Sequence, residues 1–81
     1  MSPAPRVTVY HAPDCGLCVR ALDVVGEVCA ELDSELEPID ITGRPDLEAR
    51  YRALLPAVEV DGELVFTYFV DAHALRERLG G

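Results

Sequence analysis

Cys15-Gly16-Leu17-Cys18 is the stretch that most constrains this chain. A run rich in β-branched residues, Val7-Thr8-Val9-Tyr10, leads into it through His11-Ala12-Pro13-Asp14. A long helical pattern starts on it and continues to about Asp33. Two thiols therefore open a helix, within one turn of each other. A helix N-terminus carries roughly half a positive charge, which favours a thiolate over a neutral thiol at the first Cys. The C-x-x-C spacing lets a disulfide form and reopen without large backbone movement. Strand, loop and paired thiols at a helix start make a layout suited to redox chemistry.

Eighty-one residues allow one small domain with a modest core. At 49% hydrophobic and 27% charged the chain reads as globular rather than disordered. Three cysteines are an odd number, which argues against a disulfide-stapled secreted scaffold. With no signal-like opening and no apolar run of membrane-span length, the expected location is the cytoplasm, where the motif would rest as a dithiol. A net charge of −8 without a basic cluster argues against nucleic acid and against anionic membranes. All seven basic residues are Arg, which reads as a coding bias.

Residues 1–5 hold two prolines and read as a flexible N-terminal tail; residues 6–81 read as a single domain. Arg6 to Tyr10 is expected as strand one, central by its composition. In the helix after it, Cys18, Leu22, Val25, Cys29 and Leu32 recur at spacings of four and three, widened by Ala21, Val24 and Val28. Arg20, Asp23, Glu27 and Glu31 mark the wet side. The stripe includes Cys18 but not Cys15, so the first thiol should be exposed and the second sheltered. That asymmetry suits an attacking and a resolving thiol.

Glu35 to Ile41 alternates apolar and acidic residues, a strand that Pro38 confines to an edge. Two strands flanking a helix imply a parallel, right-handed crossover. Pro45 suits the first position of a second helix, with Asp46 and Glu48 in its positive first turn and Leu47, Tyr51 and Leu54 on its apolar face. Leu55-Pro56 ends that helix. Ala57 to Val60 and Glu63 to Phe69 read as strands joined by an Asp61-Gly62 hairpin turn. Asp71 is an N-cap for a last helix, Ala72 to Leu79. The expected order is βαβαββα.

With these elements in place the chain resembles the glutaredoxin-like members of the thioredoxin superfamily over about residues 6 to 79. The likeness is carried by Val9-Tyr10, Pro13-Asp14-Cys15-Gly16-Leu17-Cys18, Leu55-Pro56-Ala57-Val58, Val60-Asp61-Gly62 and the Asp71 helix start, and is nearest to a small bacterial subgroup with a C-G-L-C site. The resemblance implies an α/β, thioredoxin-like fold: a four-stranded mixed sheet with helices on both faces. It also implies a cis peptide at Leu55-Pro56, presenting the Leu55 backbone to a substrate in strand-like pairing, with Gly16 and Leu17 beside it. Departures argue against glutathione as partner. Ala12 stands where glutathione-using relatives carry Lys, Leu55 where they carry Thr or Ser, and Thr67-Tyr68-Phe69-Val70 lacks their Gly-Gly. The chain also lacks the Trp that precedes the site in thioredoxins.

The expected chemistry is dithiol exchange, with Cys15 as nucleophile and Cys18 as resolving thiol. Its partners would be a disulfide-containing protein or a low-molecular-weight thiol, with a flavoprotein reductase as a possible electron source, no cofactor, and a monomeric chain. Asp14 opposes thiolate formation at Cys15, while the helix N-terminus and His11 favour it; His11 reads equally well as a plain loop residue. Cys29 lies eleven residues beyond Cys18, roughly 16 Å along the helix, and reads as a buried core thiol rather than a regulatory one. His73 and Arg20 read as solvent-facing, and Tyr10 and Tyr51 as core. Of Tyr68 and Phe69, which border the groove beside the site, alternation should turn one toward the sheet core. Asp61-Gly62-Glu63 reads as a hairpin tip.

Two other classes remain open. Soft thiolates bind Cu(I) or Zn, and copper chaperones place C-x-x-C after strand one, but their order is βαββαβ. A zinc site needs four ligands, and this chain has one Cys pair and scattered histidines, so no metal is expected. A redox-inert binding module using the groove at Leu55-Pro56 is the third reading; retention of both cysteines weakens it.

Overall fold

The computed structural model describes residues 5–80. The tail residues Met1 to Ala4 and the terminal Gly81 lie outside them. Pro5, placed in the tail by sequence, belongs to the rim of the sheet, because its carbonyl accepts the Glu35 N–H at 3.0 Å. The elements run β1 (Arg6–His11), α1 (Gly16–Leu32), β2 (Glu35–Asp40), α2 (Pro45–Tyr51), a 3-10 turn (Arg52–Leu54), β3 (Ala57–Val60), β4 (Glu63–Thr67) and α3 (Ala72–Arg78). The sheet order is β2-β1-β3-β4. β1 pairs with β2 in parallel and with β3 antiparallel, and β3 pairs antiparallel with β4. This is the mixed four-stranded sheet and element order the sequence implies.

Strand alternation sorts the side chains into two layers. Val7, Val9, Val58 and Val60 join Val25, Val28 and Cys29 of α1 and Leu75 of α3 in one buried cluster. A second cluster holds Ala12, Cys18, Ile41, Tyr51, Leu55 and Ala57, with Tyr10, Cys15, Leu47 and Leu54 packed against it. α1 and α3 thus cover one face, and α2 with the 3-10 turn covers the other. β2 is an edge strand in which Pro38 lies opposite Val9, and an edge tolerates the missing N–H.

The turns follow local chemistry. Asp61 (φ 50°) and Gly62 (φ 86°) both take the left-handed region, the conformation a two-residue hairpin of this hand requires. The Asp61 carboxylate also accepts the Arg6 N–H at 3.1 Å, and Glu63 pairs with Arg78. At α3 the Asp71 carboxylate accepts the N–H groups of His73 and Ala74 at 3.0 and 3.2 Å. His73 faces solvent beside Glu77.

Two expectations are corrected. The second helix does not run unbroken to Leu54; it tightens to a 3-10 turn at Arg52, and Leu55 is extended (φ −66°, ψ 138°), as a residue before proline prefers. β4 ends at Thr67 rather than Phe69, because Tyr68 adopts a φ of 69°. That left-handed residue breaks the alternation, so Tyr68 and Phe69 are both exposed. Val70, not either aromatic, packs against the core.

Candidate active site

The C-x-x-C pair sits where β1 hands over to α1. Cys15 is the N-cap, with extended backbone (φ −109°, ψ 101°), and its Sγ accepts the Cys18 N–H at 3.1 Å. The Cys15 N–H donates to the Ala12 carbonyl at 3.2 Å, which closes the loop. The two Cα atoms are 5.3 Å apart and the sulfurs are at disulfide-bonding distance. Cys18 is only 2% exposed, inside the second core cluster, while Cys15 is half-buried at its margin. Gly16 and Leu17, between them, are exposed. The sulfur asymmetry read from the helical stripe is therefore present in the fold.

Leu55 and Pro56 approach from the other side. Their peptide bond is cis, both side chains are buried, and Leu55 packs in the same cluster as Cys18. The Pro56 carbonyl is taken by the Tyr68 N–H at 2.9 Å. Among the described residues, no backbone hydrogen bond outside the helices and strands involves Leu55. Ala12 is 3% exposed, so the position where a lysine would mark a glutathione user is a core position here.

A groove open to solvent runs from Leu17 along α1, lined by Arg20, Ala21, Val24, Tyr68, Phe69 and Val70. Its aromatic wall is fixed by the Tyr68 O–H, which donates to the Ala53 carbonyl at 2.8 Å. Arg20 is exposed, as its helix face predicts, and still contributes the groove's one charged side chain.

Two groups of polar residues near this layer escaped the sequence reading. Arg52 Nη1 lies 3.2 Å from Asp14 Oδ1, and its Nη2 lies 2.6 Å from Glu48 Oε1. Asp14 therefore does not stand beside Cys15 as a bare negative charge. Farther along the sheet, buried Glu59 accepts the Tyr51 O–H at 2.6 Å and the Tyr10 O–H at 3.5 Å, and the two rings stack with centroids 3.9 Å apart. Burial, followed by the bond to Glu59, pushes the Tyr51 hydroxyl well above the usual tyrosine range. The signal for Glu59 was an acid within a fully buried central strand, since a buried carboxylate needs donors. Asp40 accepts the Thr42 N–H at 2.8 Å, which holds its carboxyl below the usual range.

Cys29 is apart from the site. It is buried in the first cluster, its Sγ 4.0 Å from the Glu35 carbonyl, and burial raises its thiol pKa. Among the described residues, no group of three or more His, Cys, Asp or Glu is placed to hold a metal ion, and no helix is long and apolar enough to cross a membrane.

Comparison with known proteins agrees with this geometry. The model of the family described as glutaredoxin-like domain (DUF836) matches residues 6–80. An uncharacterized protein of Mycobacterium tuberculosis, Rv0508, is 34% identical over 77 residues, covering 89% of this chain and 79% of the relative. The counterpart in Mycobacterium bovis, Mb0520, matches to the same extent. Among solved structures, chloroplastic thioredoxin z superposes with a TM-score of 0.78 at 22% identity, covering 95% of this chain and 76% of that one. The structural genomics target XcR50 from X. campestris gives a TM-score of 0.75 at 25% identity, covering 91% and 95%. The match across nearly all the described residues makes this chain a member of the glutaredoxin-like domain family, and its paired sulfurs sit at the mouth of a thioredoxin-like fold.

Proposed function

We propose that the chain is a thiol–disulfide oxidoreductase working through Cys15 and Cys18. The observation that carries this reading is the sulfur pair itself: bonding distance, a helix N-terminus, one sulfur half-buried and one sheltered. Cys15 as thiolate attacks one sulfur of a substrate disulfide; that S–S bond breaks, a mixed disulfide forms, and the departing thiolate takes a proton from solvent. Cys18, having lost its proton, attacks Cys15 Sγ and expels the second substrate thiolate, which is protonated in turn. The substrate gains two electrons and the Cys pair loses two.

Leu55 and Pro56 form the other jaw. With both side chains buried, what this corner offers a substrate is the Leu55 backbone, beside the exposed Gly16 and Leu17. The aromatic groove beyond Leu17 supports a disulfide-bearing protein segment as substrate, since an apolar wall held in place recognises side chains. The buried Ala12 and the glycine-free segment before α3 leave glutathione without its usual contacts, so a flavoprotein reductase or another small thiol is the proposed electron donor, acting in a reducing compartment such as the cytoplasm.

The test is the reduction potential of the pair, read by mass spectrometry of alkylated protein equilibrated in graded dithiothreitol buffers. The expected result is a reversible two-electron couple between roughly −180 and −270 mV, the range of working redoxins. A pair that never oxidises, or that retains zinc through purification, overturns the proposal in favour of a binding module or a metal carrier.

A further inference from the structure

We propose that Arg52 is a positioning residue for this site: it neutralises Asp14 beside Cys15 and ties the loop bearing Cys15 to the corner bearing Leu55. The inference rests on the thiol–disulfide reading above. Asp14 directly precedes Cys15, so its carboxylate disfavours a second negative charge on the neighbouring sulfur. The Arg52 guanidinium answers that carboxylate at 3.2 Å. Its other arm is held at 2.6 Å by Glu48, one turn earlier on α2, so the group is fixed in place rather than free to swing. The same side chain leaves the 3-10 turn that leads into Leu55-Pro56, and its bond to Asp14 spans thirty-eight residues of chain.

Both partners are substantially exposed, with side-chain exposures of 42% and 79%, and an exposed pair adds little to folding stability. Its effect falls instead on the difference between thiol and thiolate, which a nearby fixed charge alters directly. Charged or titratable groups at the ends of the elements that meet near Cys15 include Cys18 and Arg20 at the start of α1, His11 at the end of β1, Asp40 at the end of β2, Glu48 on α2 and Tyr68 after β4. Asp40 already feels both His11 and Arg52. Arg52 is the cation among them bonded to the residue adjoining the nucleophile.

The experiment follows iodoacetamide labelling of Cys15 in the reduced full chain, resolved by site with mass spectrometry, across pH and at low and high salt. Arg52→Gln should shift the Cys15 labelling profile to higher pH and slow labelling about threefold at neutral pH and low salt, the scale expected of one exposed neighbouring charge. The slowing should shrink at high salt. Arg52→Lys should stay close to wild type, and combining Arg52→Gln with Asp14→Asn, which removes both charges of the pair, should return the profile close to wild type. A wild-type profile in Arg52→Gln overturns the proposal; so does a slowing that ignores salt, or one that Asp14→Asn does not relieve, which would mark a merely structural role. These failures leave an acidic Cys15 in the wild-type chain. If wild-type Cys15 instead labels like an ordinary thiol at neutral pH, the activated-nucleophile reading of Cys15 falls, and the role of Arg52 with it.

Discussion

On one face of the sheet Val7, Val9, Val58 and Val60 meet the valines of α1 and Leu75 of α3; on the other Tyr10, Ala57 and Glu59 meet Tyr51. The same strands supply both, one residue out of step. The first face is aliphatic and β-branched, which suits close packing against helices. The second mixes small residues, hydroxyls and one buried carboxylate, and its cluster takes in Cys18 with Cys15 at its margin. α1 crosses between them: Cys18 near its start belongs to the second face and Cys29 near its end to the first. The paired thiols lie on the polar face, and Cys29 lies in the aliphatic core. Close aliphatic packing and the paired sulfurs are thus divided between opposite sides of one small sheet.

Breaking the aliphatic face should produce the largest effect. Leu75 is fully buried and holds α3 against α1 and the sheet. Leu75→Ala should destabilise the chain by about 2–5 kcal/mol, the cost of lost burial plus a cavity, measured by urea unfolding. While the variant remains folded, the pH profile of Cys15 labelling should match wild type. A variant that keeps its stability, or one that shifts the Cys15 profile, would erase the division of labour between the faces.

On the polar face the expected loss is smaller and depends on pH. Tyr51→Phe removes the short bond to buried Glu59 and leaves the carboxylate with the longer Tyr10 contact. A loss of about 1–3 kcal/mol follows for a buried acceptor deprived of its donor. In the wild type the Tyr51 hydroxyl is raised above its ordinary value of 10.0, and the Cys29 thiol above 9.0. Between the unfolded and folded values the native state holds more protons, so stability is fully present below about pH 9 and declines as pH rises. Tyr51→Phe should flatten the part of that decline above pH 10. An unchanged alkaline limb in equilibrium unfolding would remove Tyr51 from the account.

The aliphatic face was largely legible in the sequence. The alternation of Val7 and Val9, the four-three stripe of α1, and the Asp61-Gly62 turn are each local signals that tertiary contacts only reinforce. The thiol pair and its inner and outer sulfurs were legible for the same reason, being a matter of position on one helix. What the sequence concealed was non-local or conformational. Arg52 reaches Asp14 across thirty-eight residues, and nothing in either neighbourhood marks the pair. Glu59 is satisfied by two tyrosines from separate elements, one on β1 and one on α2. Tyr68 takes a left-handed φ that β-propensity does not foretell, so the end of β4 was misplaced and an exposed aromatic wall was expected to be half core.

Arg76 sharpens the comparison within the aliphatic side itself, because it is the residue after Leu75 and points the other way. Its guanidinium makes two bonds to Glu31 of α1, at 2.8 and 3.0 Å, so it links the same two helices that Leu75 holds from within. The bond from Arg76 depresses the Glu31 carboxyl below its ordinary value of 4.5. The contribution of the pair is therefore present above about that pH and lost as pH falls through the lowered value. Exposed pairs are screened and must order two long side chains, so the gain is small even with this forked geometry. Arg76→Ala should move the urea midpoint at neutral pH by roughly a fifth, or less, of the shift for Leu75→Ala. The difference should vanish in high salt and at acid pH. If Arg76→Ala matched Leu75→Ala, the helix pair would be held from its solvent side, and the aliphatic face would lose its place as the source of stability.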